Sequence, residues 1–149
     1  MNSSNIIEIS NLRKCFGDIV AVDNLSFKVR SGELFAFLGV NGAGKSTLFR
    51  LLTSIYTAES GSISYDGIPP QDEHLRKKVY FLPDDPYFSL HTTMKSMLEI
   101  YKCMYDVDME KYNRLKSEFG LDEKKPLRSF SKGMRRQAAT VLALATLPK

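Results

Sequence analysis

The sequence predicts an α/β fold: a β-rich first part built around a phosphate-binding loop, then an all-helical part. Three observations predict it. Residues 39–47 read Gly-Val-Asn-Gly-Ala-Gly-Lys-Ser-Thr, a full match to the G-x-x-x-x-G-K-[ST] loop. That loop stands between an unbroken apolar run and a set of leucines at helical spacing. Apolar residues alternate with polar ones near the N-terminus but recur with the helical period from Thr92 onward.

Ile7 and Ile9 alternate with polar neighbours, as do Leu25, Phe27 and Val29, so both stretches read as half-buried strands joined through a turn at Phe16-Gly17-Asp18. Glu33-Leu34-Phe35-Ala36-Phe37-Leu38 is mostly apolar, the pattern of a strand buried on both faces. After the loop, Leu48, Leu51, Leu52 and Ile55 form the stripe of a helix. Residues 60–67 read as a short strand between turn signals, ended by Ile68-Pro69-Pro70. Val79-Tyr80-Phe81-Leu82 is a further apolar strand, stopped by Pro83.

The pattern then turns helical. Thr92 or Thr93 can cap a helix carrying Met94, Met97, Leu98, Tyr101, Met104 and Tyr105. This Met and Tyr stripe has two readings, helix core and a soft docking surface; stripes of this kind usually pack inward. Asp108 can cap a second helix with Met109, Tyr112, Leu115 and Phe119, stopped by Gly120. A third should begin near Ser131 to Gly133 and carry Met134, Ala138, Val141, Leu142 and Ala145.

The loop carries the chemistry. Gly39, Gly42 and Gly44 permit backbone angles and close approaches that side chains would block. Successive N–H groups of the loop, which also contains Asn41 and Ala43, can then wrap the α- and β-phosphates of a nucleotide. Lys45 would place its ammonium between the β- and γ-phosphates, and the Ser46 hydroxyl would ligand Mg²⁺. Thr47 falls in the first helical turn, whose dipole favours the same negative charge. The spacing G-x-x-G-x-G followed by lysine excludes the dinucleotide fingerprint G-x-G-x-x-G.

Composition excludes other classes. In 149 residues, 43% hydrophobic and 26% charged side chains make a globular chain, not a disordered one. A net charge of +4 with scattered Lys and Arg does not call for nucleic acid. Cys15 and Cys103 lack metal-ligand spacing and read as reduced thiols. No apolar run approaches the ~18 residues of a membrane span. The first residues lack the basic and apolar stretches of a signal peptide.

Phe130-Ser131-Lys132-Gly133-Met134-Arg135-Arg136-Gln137 supplies a second motif. Together with Gly39 to Thr47, it resembles the signature sequence of ATP-binding-cassette ATPases, most closely the S-K-G-M variant of ABC-2-type exporter subunits. The resemblance covers essentially the whole chain. It implies a P-loop NTPase fold of ABC type: one ATPase domain over 1–149, with a nucleotide-binding β core at 1–84, a helical subdomain at 85–130, and the signature motif with its helix at 131–149. Leu12-Arg13-Lys14-Cys15-Phe16-Gly17 resembles the family's A-loop, which puts Phe16 where a ring stacks on adenine; the alternative is a core Phe at a strand end. Phe81-Leu82-Pro83-Asp84 resembles the Q-loop, with Asp84 where Gln is usual. A carboxylate there binds Mg²⁺ more strongly but repels the γ-phosphate.

Lys132 replaces the signature's first glycine and Met134 its glutamine, whereas Ser131 and Gly133 are retained. The resemblance implies that these two meet the γ-phosphate of an ATP held by a second ATPase domain, and that closure drives a transmembrane permease. The cofactors implied are ATP and Mg²⁺, and the location implied is cytoplasmic, peripheral on the inner face of the cell membrane. The family's next strand, with its Mg²⁺-binding Asp and water-polarising Glu, would follow Lys149, and His74 and His91 lie in the wrong segments to act as its later switch His. The sequence is therefore expected to be a fragment lacking the C-terminal part and to bind ATP without hydrolysing it, while the full-length protein would be an ATPase. Other readings are an ATP-binding regulator without transport, or a soluble ABC ATPase acting on nucleic acid or ribosomes.

Overall fold

The computed structural model describes residues 5–83 and 88–146. They fall into two compact units, Met1–Arg76 and Lys77–Lys149.

The first unit is built on a three-stranded antiparallel sheet. β1 (Asn5–Phe16) and β2 (Ile19–Arg30) form a long hairpin, and β3 (Ser60–Tyr65) adds to the other edge of β1, giving the order β2-β1-β3. The hairpin turns on Gly17 and Asp18, and Gly17 at φ 57° supplies the positive φ that a two-residue turn requires.

Strict alternation fails inside this hairpin, for a visible reason. Ile9 and Leu12 are both buried although three residues apart, as are Val22 and, in part, Leu25. Between the pairs Ile9↔Phe27 and Leu12↔Leu25, β1 carries one extra residue. Between Leu12↔Leu25 and Lys14↔Val22, the extra residue is on β2. Each bulge moves the next apolar residue back to the core face. Asn11 at φ 48° and Asn24 at φ 45° take the left-handed conformations that Asn tolerates. The Asn11 N–H also donates to Ser26 Oγ (2.7 Å).

α1 (Lys45–Leu52) lays Leu48 and Leu51 on Ile9, Leu12 and Val22. It ends earlier than the stripe suggested, since Thr53 is its C-cap and Ile55 is exposed. Tyr65, at the end of β3, donates its hydroxyl to the Leu52 carbonyl (2.9 Å) and so fastens sheet to helix. Asp66 and Gly67, both at positive φ, turn the chain so that Tyr65 and Ile68 exchange backbone hydrogen bonds. A short α2 (Glu73–Arg76), absent from the apolar pattern, is capped by Asp72 Oδ1, which accepts from the N–H groups of His74 and Leu75.

Two expected strands are not found. Residues 33–38 run without a ladder; Leu34 is 99% and Leu38 88% exposed, while Phe37 packs partly against the core and Phe35 stacks on Phe27 (centroids 5.0 Å). Residues 79–82 likewise have no strand partner. An apolar run becomes a buried strand only with paired neighbours, and neither run is hydrogen-bonded into a ladder among the described residues.

The second unit is helical. α3 (Met94–Met104) starts at a capping box in which Thr93 Oγ1 accepts from Ser96 N–H and Ser96 Oγ accepts from Thr93 N–H. Thr93, not Thr92, is therefore the cap. α4 (Met109–Glu118) is capped by Asp108, whose Oδ1 accepts from Lys111 N–H (2.9 Å). It stops in a Schellman arrangement: Gly120 sits at φ 61°, its N–H donates to Ser117 and that of Leu121 to Lys116. A single 3₁₀ turn at Leu127–Ser129 precedes α5 (Lys132–Ala145).

The core of this unit joins Met94, Leu98, Tyr112, Leu121, Leu127, Phe130, Ala138, Val141, Leu142 and Ala145. The Met and Tyr stripe is thus core at its start, but Met104 at its far end is 55% exposed. Glu123 joins α4 to its surroundings by accepting from Lys116 Nζ (2.8 Å) and from the hydroxyl of buried Tyr112 (3.3 Å).

Candidate nucleotide-binding site

The loop of residues 39–44 leads directly into α1, and its geometry follows from its glycines. Gly42 and Gly44 sit at φ 86° and 82°. A Cβ on Gly44 would run into the Ala21 carbonyl, so this position must be glycine for space as well as for angle. A Cβ on Gly42 would meet nothing, so there only the backbone angle demands glycine. The Ala43 N–H donates to the Val40 carbonyl (3.2 Å), rounding the loop.

The start of α1 is open to an anion. Gly44 is its N-cap and offers no side chain to the first-turn N–H groups, and no acidic residue lies in that turn. The positive end of the helix dipole is therefore unopposed by a carboxylate. Lys45 folds back under the loop, its Nζ donating to the carbonyls of Gly39 (2.6 Å) and Val40 (2.7 Å). This places a fixed cation within the cradle. Asn41 and Ser46 are exposed and Thr47 is half-buried. A cleft of about 200 Å³ adjoins the loop, lined by Ala43, Gly44 and Leu48 with Ala21, Val22 and Asp23 of β2.

Phe16 lies in the same unit, at the end of β1, and is 43% exposed rather than in the core. Its ring stands edge-on to Tyr56 (centroids 5.4 Å, planes at 70°), and Lys14 Nζ lies 5.3 Å from its centroid. Lys14 pairs with Glu59 (3.9 Å), whose Oε1 accepts from the Cys15 N–H (3.1 Å). Desolvation, then the Glu59 carboxylate, pushes the Cys15 thiol above its ordinary value. Tyr56 and its neighbour Arg50 carried no sequence signal, because their relation to Phe16 arises only when α1 folds onto the sheet.

Ser131 and Gly133 lie in the helical unit. Ser131 is the N-cap of α5, with Oγ accepting from Met134 N–H (3.2 Å), and no acidic residue occupies the helix's first turn. Both are exposed, and a Cβ on Gly133 would meet only the Ser131 hydroxyl at 3.9 Å. Packing therefore does not require glycine there. Asp84 lies outside the described residues. His91 is exposed.

The glycine loop, its fixed lysine and the uncapped helix start define a P-loop nucleotide-binding protein. Residues 22–149 match the family described as ABC transporter, and the chain belongs to that family. The SkfA peptide export ATP-binding protein SkfE of Bacillus subtilis is 38% identical over 124 residues, covering 80% of this chain and 52% of that protein. The ABC transporter ATP-binding protein YtrB of the same organism is 30% identical over 146 residues, covering 96% and 50%. The lantibiotic transport ATP-binding protein SrtF of Streptococcus pyogenes is 29% identical over 146 residues, covering 97% and 63%. A solved ATP-binding subunit of an ABC transporter superposes with a TM-score of 0.80 at 26% identity, over 92% of this chain and 60% of that one. The fold is thus of ABC ATPase type, as the sequence predicted. The chain spans about half the length of SkfE and YtrB.

Proposed function

We propose that this chain is the ATP-binding part of an ABC exporter subunit, in which binding and hydrolysis of ATP drive a separate transmembrane permease. The observation that carries the proposal is the cradle at residues 39–47: positive-φ glycines, an uncapped helix start and Lys45 held inside it. These residues fit a triphosphate, because phosphate oxygens would accept from the first-turn N–H groups that no side chain satisfies. Lys45 would exchange its two carbonyl contacts for phosphate oxygens. Mg²⁺, when bound with the nucleotide, neutralises phosphate charge; the Ser46 hydroxyl would hold it together with Asp84. Phe16 would offer its exposed ring to adenine.

Ser131 and Gly133 would meet the γ-phosphate of an ATP bound to a second ATPase domain, with the hydroxyl and the first-turn N–H groups of α5 as donors. That arrangement makes the working unit a dimer at the cytoplasmic face of the membrane. Export is the direction favoured by the name of SkfE and by this chain's own Ser131-Lys132-Gly133-Met134 motif. Among the described residues no helix is long and apolar enough to cross a membrane, which fits a partner that does the spanning.

Isothermal titration with ATP and Mg²⁺ tests the cradle. ATP should bind and protect the fold against heat, by roughly 2.7 kcal/mol at a hundredfold excess over Kd. Lys45→Ala removes a charge-assisted contact and should weaken binding about tenfold or more. Equal affinity of the two forms would overturn the proposal. In the same samples these 149 residues should bind ATP without turnover; phosphate release at ordinary enzyme rates, lost in Lys45→Ala, would overturn that part.

A further inference from the structure

We infer that Tyr56, held by Arg50, is a positioning residue that fixes the ring of Phe16 for stacking on the nucleotide base. The inference rests on the reading of Phe16 as the adenine-stacking side chain. An exposed Phe at a strand end would ordinarily be free to rotate about χ1 and χ2, and each base it bound would have to halt that motion. Here the ring is boxed. Tyr56 meets it at 5.4 Å with the planes at 70°, the edge-to-face arrangement that aromatic quadrupoles favour. Lys14, anchored by Glu59, stands 5.3 Å from the centroid.

Tyr56 is itself fixed by the last turns of α1. Its N–H donates to the Arg50 carbonyl (3.1 Å), the Arg50 guanidinium lies 5.6 Å from its ring centroid, and Nη1 reaches its hydroxyl (3.5 Å). The helix that begins at the phosphate cradle therefore ends by holding the residue that holds the base platform. One rigid element sets both ends of the nucleotide site. Among the described residues the Tyr56 hydroxyl makes only the long Arg50 contact, so the ring, rather than the oxygen, does the positioning.

The test measures binding of ATP and of inorganic tripolyphosphate, which has no base, to the chain and its variants. Phe16→Ala should weaken ATP and leave tripolyphosphate unchanged. Tyr56→Leu should weaken ATP by about three- to tenfold, the worth of an aromatic pair, again without affecting tripolyphosphate. Tyr56→Phe should restore ATP binding, and the double variant Phe16→Ala with Tyr56→Leu should lose no more than Phe16→Ala alone. Arg50→Met keeps the Tyr56 ring and should give a smaller loss of ATP affinity in the same direction, so the inference stays testable if Tyr56→Leu does not fold. A Tyr56→Leu protein that binds ATP normally, or loses both ligands equally, overturns the inference while Phe16 keeps its role. If Phe16→Ala leaves ATP binding intact, the stacking role falls and the inference falls with it.

Discussion

At the residue scale, the site depends on loop glycines that differ in what they demand: space as well as backbone angle at Gly44, backbone angle alone at Gly42. Gly44→Ala forces both a left-handed alanine and a collision with the Ala21 carbonyl. It should cost roughly 2–3 kcal/mol or shift the loop. Gly42→Ala meets no atom and should cost only ~1 kcal/mol of backbone strain. Urea midpoints of the two variants provide the comparison, and equal losses would contradict the geometry. Tyr65 gives a pH signature. Burial pushes its hydroxyl from 10.0 up to about 12. Its folded-state pKa is raised, so its contribution is fully present below pH 10 and is lost as pH rises through about 12. Tyr65→Phe should flatten the alkaline limb of stability between those values. At neutral pH it should cost ~1 kcal/mol for the lost bond to Leu52.

At the element scale, the helices are held by their ends as much as by their faces. Thr93→Ala removes the acceptor for Ser96 N–H and should destabilise the helical unit by about 1 kcal/mol, seen in its denaturation midpoint. α4 offers an acid-side test. The hydrogen bond from Lys116, above all, holds the Glu123 carboxyl below its ordinary 4.5. A depressed carboxyl contributes above its unfolded pKa and is lost as pH falls from that value through the folded one. Stability below about pH 4.5 should therefore decline less steeply in Glu123→Gln than in the parent chain. Helix starts at Asp108, near Ser131 and at Thr92 or Thr93 were legible in the sequence because capping is local, though only the structure chose Thr93 over Thr92. α2 was not, since four residues give no periodicity, and it was Asp72 that revealed it. The paired bulges at Asn11 and Asn24 were equally hidden, because a bulge is defined by the register of the opposite strand.

At the scale of the whole molecule, the feature of most consequence is the apolar surface on residues 33–40. Leu34 and Leu38, in a run that reads as a buried strand, are 99% and 88% exposed, and Val40 in the adjoining loop is 79% exposed. Such a segment invites pairing with another chain. The 149 residues by themselves should self-associate in a concentration-dependent way, and Leu34→Glu with Leu38→Glu should reduce it. Sedimentation velocity over a range of concentrations measures this; a monomer at every concentration would contradict it.

What the sequence determined by itself are features whose cause is local. Nine residues specify the cradle, because backbone angles and a lysine at fixed spacing need no distant partner. The hairpin turn at Gly17, the stop at Gly120 and the three main helices follow from single residues and short-range periodicity. The tertiary structure alone decided what depends on a partner far along the chain. It left residues 33–38 and 79–82 without strand pairing, since a ladder needs a second strand. It made Gly44 obligatory through Ala21 and brought Tyr56 onto Phe16, 40 positions away (56 − 16) in the sequence. A local motif can announce that a phosphate binds, but only packing decides what stands at its far end and holds it still.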